Sequence, residues 1–121
     1  MQSMDATLAS FVNQPAGEHM KIEHKLLNNT LYIGLIGELD SGSADHVRRN
    51  MDKLLEETVM ERVVIEMAQM AFMDSTGIGV MIGRFKKLRS RGIPIYISHP
   101  SKQADKIFAL SGLYEIMPKI S

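Results

Sequence analysis

The run Val63-Val64-Ile65-Glu66-Met67 constrains the fold more than any other stretch of this 121-residue chain. It is short, nearly all apolar and rich in β-branched side chains, the pattern of a strand buried on both faces of a parallel sheet. A second run of this kind, Ile93, Ile95 and Ile97, follows downstream. Between them Ile78, Met81, Ile82, Phe85 and Leu88 form a helical stripe that ends before Gly92, a residue suited to closing a helix. Strand, helix and strand in that order predict a right-handed crossover joining parallel neighbours. The fold class that follows is α/β.

The flanking segments extend the pattern. Ile22 and Leu26 lie in a first short strand, and Asn28-Asn29 marks a hairpin turn. Leu31, Ile33 and Leu35 alternate with Tyr32, Gly34 and Ile36 in a second strand ending at Gly37. Ala44, Val47, Met51, Leu54, Leu55 and Thr58 recur at spacings of three and four, an amphipathic helix with Ser41 or Ser43 as its cap. Pro100-Ser101 opens a third helix carrying Ala104, Ile107 and Phe108 and stopped by Gly112, after which Leu113–Met117 supplies a last short strand. The predicted order β-β-α-β-α-β-α-β is one domain over residues 21–121, a small, mostly parallel sheet with helices packed on it. Residues 1–20 hold no sustained period and contain Pro15 and Gly17. They read as an N-terminal extension, with a short helix over Ala6–Val12 as the alternative.

Composition removes several classes of function. An apolar content of 45% supports a real core. Lys+Arg and Asp+Glu both number 14, so the basic excess expected of a phosphate-gripping nucleic-acid binder is missing. Without cysteine there is neither a disulfide nor thiol chemistry. No apolar run reaches the roughly 18 residues of a membrane span, and no secretory signal opens the chain; the expectation is a cytoplasmic protein. His19, His24, His46 and His99 form no pair at ligand spacing, so neither a metal nor another cofactor is expected. Met51, Met67 and Met81 fall on predicted buried stripes, which makes the methionines adaptable core filling. The basic run Arg84–Arg91 lies toward a helix C-terminus, where cations suit the dipole, and reads as a solvated face, or alternatively as a contact for an acidic partner.

The informative stretch is Phe72-Met73-Asp74-Ser75-Thr76-Gly77-Ile78-Gly79, between the buried strand and the second helix. Loops at the carboxyl ends of strands are where open α/β sheets place function. Asp74 and Ser75 are also ordinary helix-capping residues, a role that needs no partner. Gly77, Gly79 and Gly83 each cost about 0.8–1 kcal/mol relative to alanine in a helix interior, which signals close approach of a backbone to the sheet or to a partner. A hydroxyl at a helix N-terminus suits a phosphate dianion, because free N–H groups and the positive dipole end favour the added charge. The glycine spacing misses the dinucleotide fingerprint, and Ile97 stands where that fingerprint needs an acid. A nucleophile elbow needs glycine where Met73 stands, and His99 is the single histidine downstream. Ser75 thus stays open between a cap, a nucleophile and a modified hydroxyl.

Gly37-Glu38-Leu39-Asp40, Phe72 to Val80, and Phe108-Ala109-Leu110-Ser111-Gly112-Leu113 resemble the STAS domain family, above all its stand-alone bacterial members, the anti-sigma factor antagonists. The resemblance spans roughly residues 21–120. It implies a regulator with no catalytic residue of its own and a partner-switching cycle. In that cycle the unphosphorylated antagonist binds an anti-sigma factor that is also a serine kinase, freeing the sigma factor. The kinase then phosphorylates the serine after the motif aspartate, here Ser75 with Thr76 as the alternative, and the complex separates until a serine phosphatase resets it. Asp40, Asp74, Ser75, Thr76, Gly77 and Gly79 would form the partner-binding surface. The family also includes adaptors in stress-signalling and lipid-transport complexes, so a non-switching adaptor is the alternative reading.

Overall fold

The computed structural model describes residues 14–15 and 20–121. In chain order these form β1 (Gln14–Pro15), β2 (Met20–Leu27), β3 (Thr30–Leu39), α1 (Ala44–Glu57), β4 (Arg62–Glu66), β5 (Met70–Met73), α2 (Ser75–Arg89), β6 (Ile95–Ser98) and α3 (Lys102–Ser111). A 3₁₀ turn over Leu113–Glu115 follows. The strands make one six-stranded sheet in the order β1-β2-β3-β4-β6, with β5 beside the far half of β3.

The expected hairpin joins β2 to β3. Asn28 and Asn29 take φ of 51° and 62°, the left-handed pair that a two-residue turn needs to match the twist of its strands. From β3 onward the pairings are parallel, β3 with β4 and β4 with β6, as the crossover predicts. Val64 lies in the ladder between Tyr32 and Tyr96 and is only 4% exposed, so this strand is covered on its second face as well.

β3 changes partner part-way along its length. Thr30–Gly34 pairs with β4, and Gly37–Leu39 pairs with β5 across a shift of register between Gly37 and Glu38. Gly37 sits at φ 112°, where a side chain would be strained, and it lets the strand bulge and continue. The strand therefore runs past Gly37 to Leu39, and this extension carries Asp40 to the end of the sheet from which Asp74 also leaves. Periodicity does not reveal β5. Met70 and Met73 are buried while Ala71 and Phe72 between them are exposed, which breaks strand alternation.

Leu31, Ile33, Leu35 and Leu39 of β3 join Val63, Ile65, Ile95 and Ile97 in a core with Val47 and Met51 of α1, Val80, Met81 and Leu88 of α2, and Phe108 of α3. All eight methionines among the described residues are buried, in line with core filling. The buried face of α2 is Gly77, Val80, Met81, Arg84 and Leu88, with Ile78, Ile82 and Phe85 packed half-buried at its margin. Arg84 corrects the reading of the basic run. It is 5% exposed, its Nε lies 2.9 Å from Asp52 Oδ1 on α1, and Lys87 Nζ lies 3.4 Å from the other oxygen. Arg91 Nη1 donates to Leu55 O at 2.7 Å, tying down the end of α1. Lys86, Lys87 and Arg89 remain on the surface.

The expected last strand at Leu113–Met117 is a helical turn instead. Leu113 and Met117 are both buried, but Glu115 between them is exposed, so the inward face that alternation requires of every second residue is broken, while the i, i+4 spacing suits a helical turn. The sheet edge is covered by the next residues: Ile97 N donates to Pro118 O and Ile120 N to Ile97 O, both at 2.9 Å. At the other end, Gln14–Pro15 pairs with Lys21 and Ile22, and Met20 opens β2 at 2% exposure. The alternative helix at Ala6–Val12 lies outside the described residues.

Candidate functional site

β3 and β5 end side by side, and each is followed by an aspartate. The backbone N–H of Asp74 donates to Leu39 O at 3.2 Å, so Asp40 and Asp74 leave neighbouring parallel strands at the same level. Their side chains do comparable work in the two connections. Asp40 Oδ1 accepts from Gly42 N at 2.9 Å and from Ser43 N at 3.2 Å, closing the turn into α1. Asp74 is the N-cap of α2, and its Oδ1 accepts from Thr76 N at 2.8 Å.

Of the two serines expected to cap α1, Ser43 holds the position but makes no cap hydrogen bond with its side chain. Its hydroxyl instead donates to Glu38 O at 2.9 Å and accepts from Asp40 N at 3.1 Å, which binds the α1 connection back onto the bulged end of β3.

With Asp74 occupying the cap, Ser75 is freed from that duty. It is the first residue of α2 and is exposed, and no described residue hydrogen-bonds to its hydroxyl. Thr76 is half-buried. Ser75 stands at the N-terminus of α2, the positive end of its backbone dipole, and the first turn holds no acidic residue to offset it, while Lys86, Lys87 and Arg89 lie in the last turn.

The three glycines divide into two roles. A Cβ on Gly77 would lie 2.5 Å from Met73 Cγ and 3.2 Å from Leu39 Cδ2, so this glycine exists to seat the first turn on the sheet. Gly77 is buried and presents no surface of its own. A Cβ on Gly79 or Gly83 would meet nothing within 4 Å. Ser75, Gly79 and Gly83 are spaced by four and share one stripe of α2, which leaves the helix backbone bare beside the hydroxyl.

The competing chemistries find no support in the geometry. His99 Nδ1 lies 2.9 Å from Ser98 Oγ and 3.2 Å from Glu66, and it does not reach Ser75 as a general base would. Among the described residues no group of three His, Asp or Glu is placed to hold a metal ion. No helix there is long and apolar enough to cross a membrane.

The sequence gives no hint of Gln103. This α3 residue reaches the outer edge of β5, accepting from Met73 N at 3.1 Å and donating to Met73 O at 2.8 Å. A glutamine in the first turn of a helix looks like any solvated residue, and only the tertiary contact distinguishes it.

Known proteins share both sequence and fold. Residues 21–121 match the STAS domain. The anti-sigma F factor antagonist of Paenibacillus polymyxa is 32% identical over 100 residues, 83% of this chain and 86% of that protein. The anti-sigma-B factor antagonist of Bacillus subtilis strain 168 is 27% identical over 99 residues, covering 82% and 89%. Among solved structures, the anti-sigma factor antagonist SpoIIAA in its unphosphorylated form superposes with a TM-score of 0.70 at 25% identity, covering 83% of this chain and 88% of that one. Those names describe regulators of other proteins and not catalysts. With that match across the described domain and a relative 32% identical over most of both chains, this protein belongs to the STAS domain family.

Proposed function

We propose that this chain is an anti-sigma factor antagonist whose choice of partner is set by phosphorylation of Ser75. The observation that carries the reading is the state of that side chain: exposed, at the first position of α2, with no described hydrogen-bond partner to lose. A kinase can reach it, and modifying it removes no internal contact.

The surroundings supply the physics of a switch. A phosphate adds about −1.5 to −2 charges at pH 7. At the positive end of α2 that charge is tolerated by the fold, so the modification acts on the surface rather than by unfolding. Beside Asp74, and with Asp40 on the neighbouring strand end, it creates a concentrated negative patch. Like charges facing each other across an interface cost several kcal/mol, and each 1.4 kcal/mol is a factor of ten in affinity. SpoIIAA is known in unphosphorylated and phosphorylated forms, and this chain superposes on them with TM-scores of 0.70 and 0.64. That relationship supports modification without refolding.

The partner in this reading is a cytoplasmic anti-sigma factor with serine kinase activity, and a serine phosphatase restores the binding form. Asp40, Asp74, Ser75, Thr76 and Gly79 face it, while Gly77 acts from below by seating the turn. Incubation with the cognate anti-sigma factor and ATP, followed by mass spectrometry of the peptide containing Asp74 to Gly77, tests the assignment. Phosphate on Ser75 and release of the complex are expected. Phosphate on Thr76 alone would move the site by one residue, and a stable complex with no phosphate would favour the non-switching adaptor.

A further inference from the structure

We infer that Gln103 of α3 is the positioning residue that holds Ser75 in the geometry its kinase recognises, an inference that rests on the switch reading of Ser75.

β5 is short, only four residues, and among the described residues it pairs with β3 alone. Its other edge would leave the Met73 N–H and C=O without partners, at a residue whose side chain is 0% exposed. Unpaired backbone groups in that setting are costly, so a partner is needed. Gln103 supplies both halves at once: Oε1 accepts from Met73 N at 3.1 Å and Nε2 donates to Met73 O at 2.8 Å. A primary amide carries one acceptor and one donor side by side, as a neighbouring strand would. Glutamate can accept but not donate, and asparagine is one methylene too short to reach from the same helix position.

Met73 is the point where this grip is transmitted. Its side chain lies under the first turn of α2, where any Cβ on Gly77 would stand 2.6 Å from its sulfur. Its backbone precedes Asp74, which caps α2 and is itself held to Leu39 O. Ser75 therefore sits on a turn fixed from three sides: β3 through Asp74, the core through the Met73 thioether, and α3 through Gln103. Gln103 is also anchored, because Ser101 caps α3 by accepting from Ala104 N at 3.1 Å. Loosening the third side leaves the fold in place but lowers the fraction of molecules that present Ser75 correctly. Apparent affinity falls by that fraction, while turnover of the bound complex does not.

The experiment compares the full chain with Gln103→Leu and Gln103→Glu. Amide exchange is followed at Met73–Gly77, with Ile33 and Ile65 as core references, and Ser75 phosphorylation by the cognate anti-sigma factor is followed with ATP. In Gln103→Leu the junction amides are expected to lose nearly all protection and exchange close to the rate of an unstructured chain, with the reference amides unchanged, because a tenfold loss of apparent affinity needs the competent fraction to fall to about a tenth. KM for the antagonist rises about tenfold and kcat stays within twofold. Gln103→Glu carries a built-in control, since a protonated carboxyl again offers one acceptor and one donor. Its exchange relative to wild type is raised at neutral pH and returns to the wild-type level below about pH 4, under the ordinary glutamate value. A role in bulk packing alone would show no such pH-dependent rescue. Unchanged junction exchange in both variants, with wild type phosphorylated normally on Ser75, would overturn the role of Gln103 and leave the switch intact. Wild type that takes no phosphate on Ser75 would overturn the switch reading, and this inference with it.

Discussion

Gly77 lies directly on Met73: a single carbon added to the glycine would stand 2.5 Å from Met73 Cγ and 2.6 Å from its sulfur. Two residues past the strand end, the first turn of α2 is thus pressed onto the last residue of β5. This contact sets the height at which Ser75 emerges.

Replacing Gly77 with alanine gains helix propensity but overpacks a site walled by Met73 and Leu39, both 0% exposed. The net effect is expected to be destabilising by about 1–3 kcal/mol. Gly79→Ala meets open space and should stabilise by about 0.8–1 kcal/mol. Urea unfolding of the two variants should therefore shift in opposite directions. Gly79→Ala should also weaken anti-sigma factor binding if the bare stripe beside Ser75 is the contact surface. Stabilisation by both variants would show that the Gly77 contact is not tight.

Ser75→Asp should lower affinity for the anti-sigma factor at least tenfold while the melting temperature stays within a few degrees, because the new charge lies at the positive end of α2. Ser75→Ala should bind like the unmodified protein and take up no phosphate at this position. Calorimetric titration beside thermal melts separates the two effects. A Ser75→Asp protein that binds normally would argue against a charge-based switch.

Arg84 and Asp52 form an ion pair between α1 and α2 with side-chain exposures of 6% and 24%. Burial pulls the Arg84 pKa down, opposed by the attraction of Asp52. Asp52→Ala strands a buried guanidinium and should cost roughly 3 kcal/mol. Arg84→Met leaves Asp52 with Lys87 and solvent and fills the space with apolar atoms, so it should be close to neutral. Chemical denaturation of the two variants reads this asymmetry, and equal losses would refute it.

His24 faces the core side of β2 near Leu26, Leu31 and Val59, and its Nδ1 is buried without a hydrogen-bond partner among the described residues. Burial lowers its pKa from 6.5. The unfolded chain then binds the proton more readily, so the stability from keeping His24 neutral is present above about pH 6.5 and is lost as pH falls through the lower folded value. His24→Leu should flatten the decline in melting temperature between pH 7 and 5. An unchanged slope would assign the decline to other groups.

How much of this is legible in the sequence depends on whether a local period exists. The Asn28-Asn29 turn, α1 from Ala44 to Leu55 and the stop of α3 at Gly112 follow from local chemistry, and the structure matches them. Local pattern does not reveal β5, because Ala71 and Phe72 interrupt its alternation, nor the true end of β3, because a bulge at Gly37 imitates a strand terminus. The charge of Arg84 suggests a solvated side chain, but its helical position places it on the buried face of α2. Its burial depends on Asp52, a residue 32 positions earlier in the chain.

The serine at the strand–helix junction came from the sequence alone: a capping aspartate, a following hydroxyl and a helix begun with glycines are local features, and the chain carries them whatever else it touches. Tertiary structure decided what the sequence could not, which residue caps and which is free. Asp74 takes the cap, so Ser75 is left exposed. Gly77 seats the helix on the sheet while Gly79 and Gly83 border open space, and Gln103 arrives from another helix to complete an edge that β5 cannot complete itself. These assignments rest on distances between segments remote in sequence, and folding sets those distances by burying one face of every element at the same time.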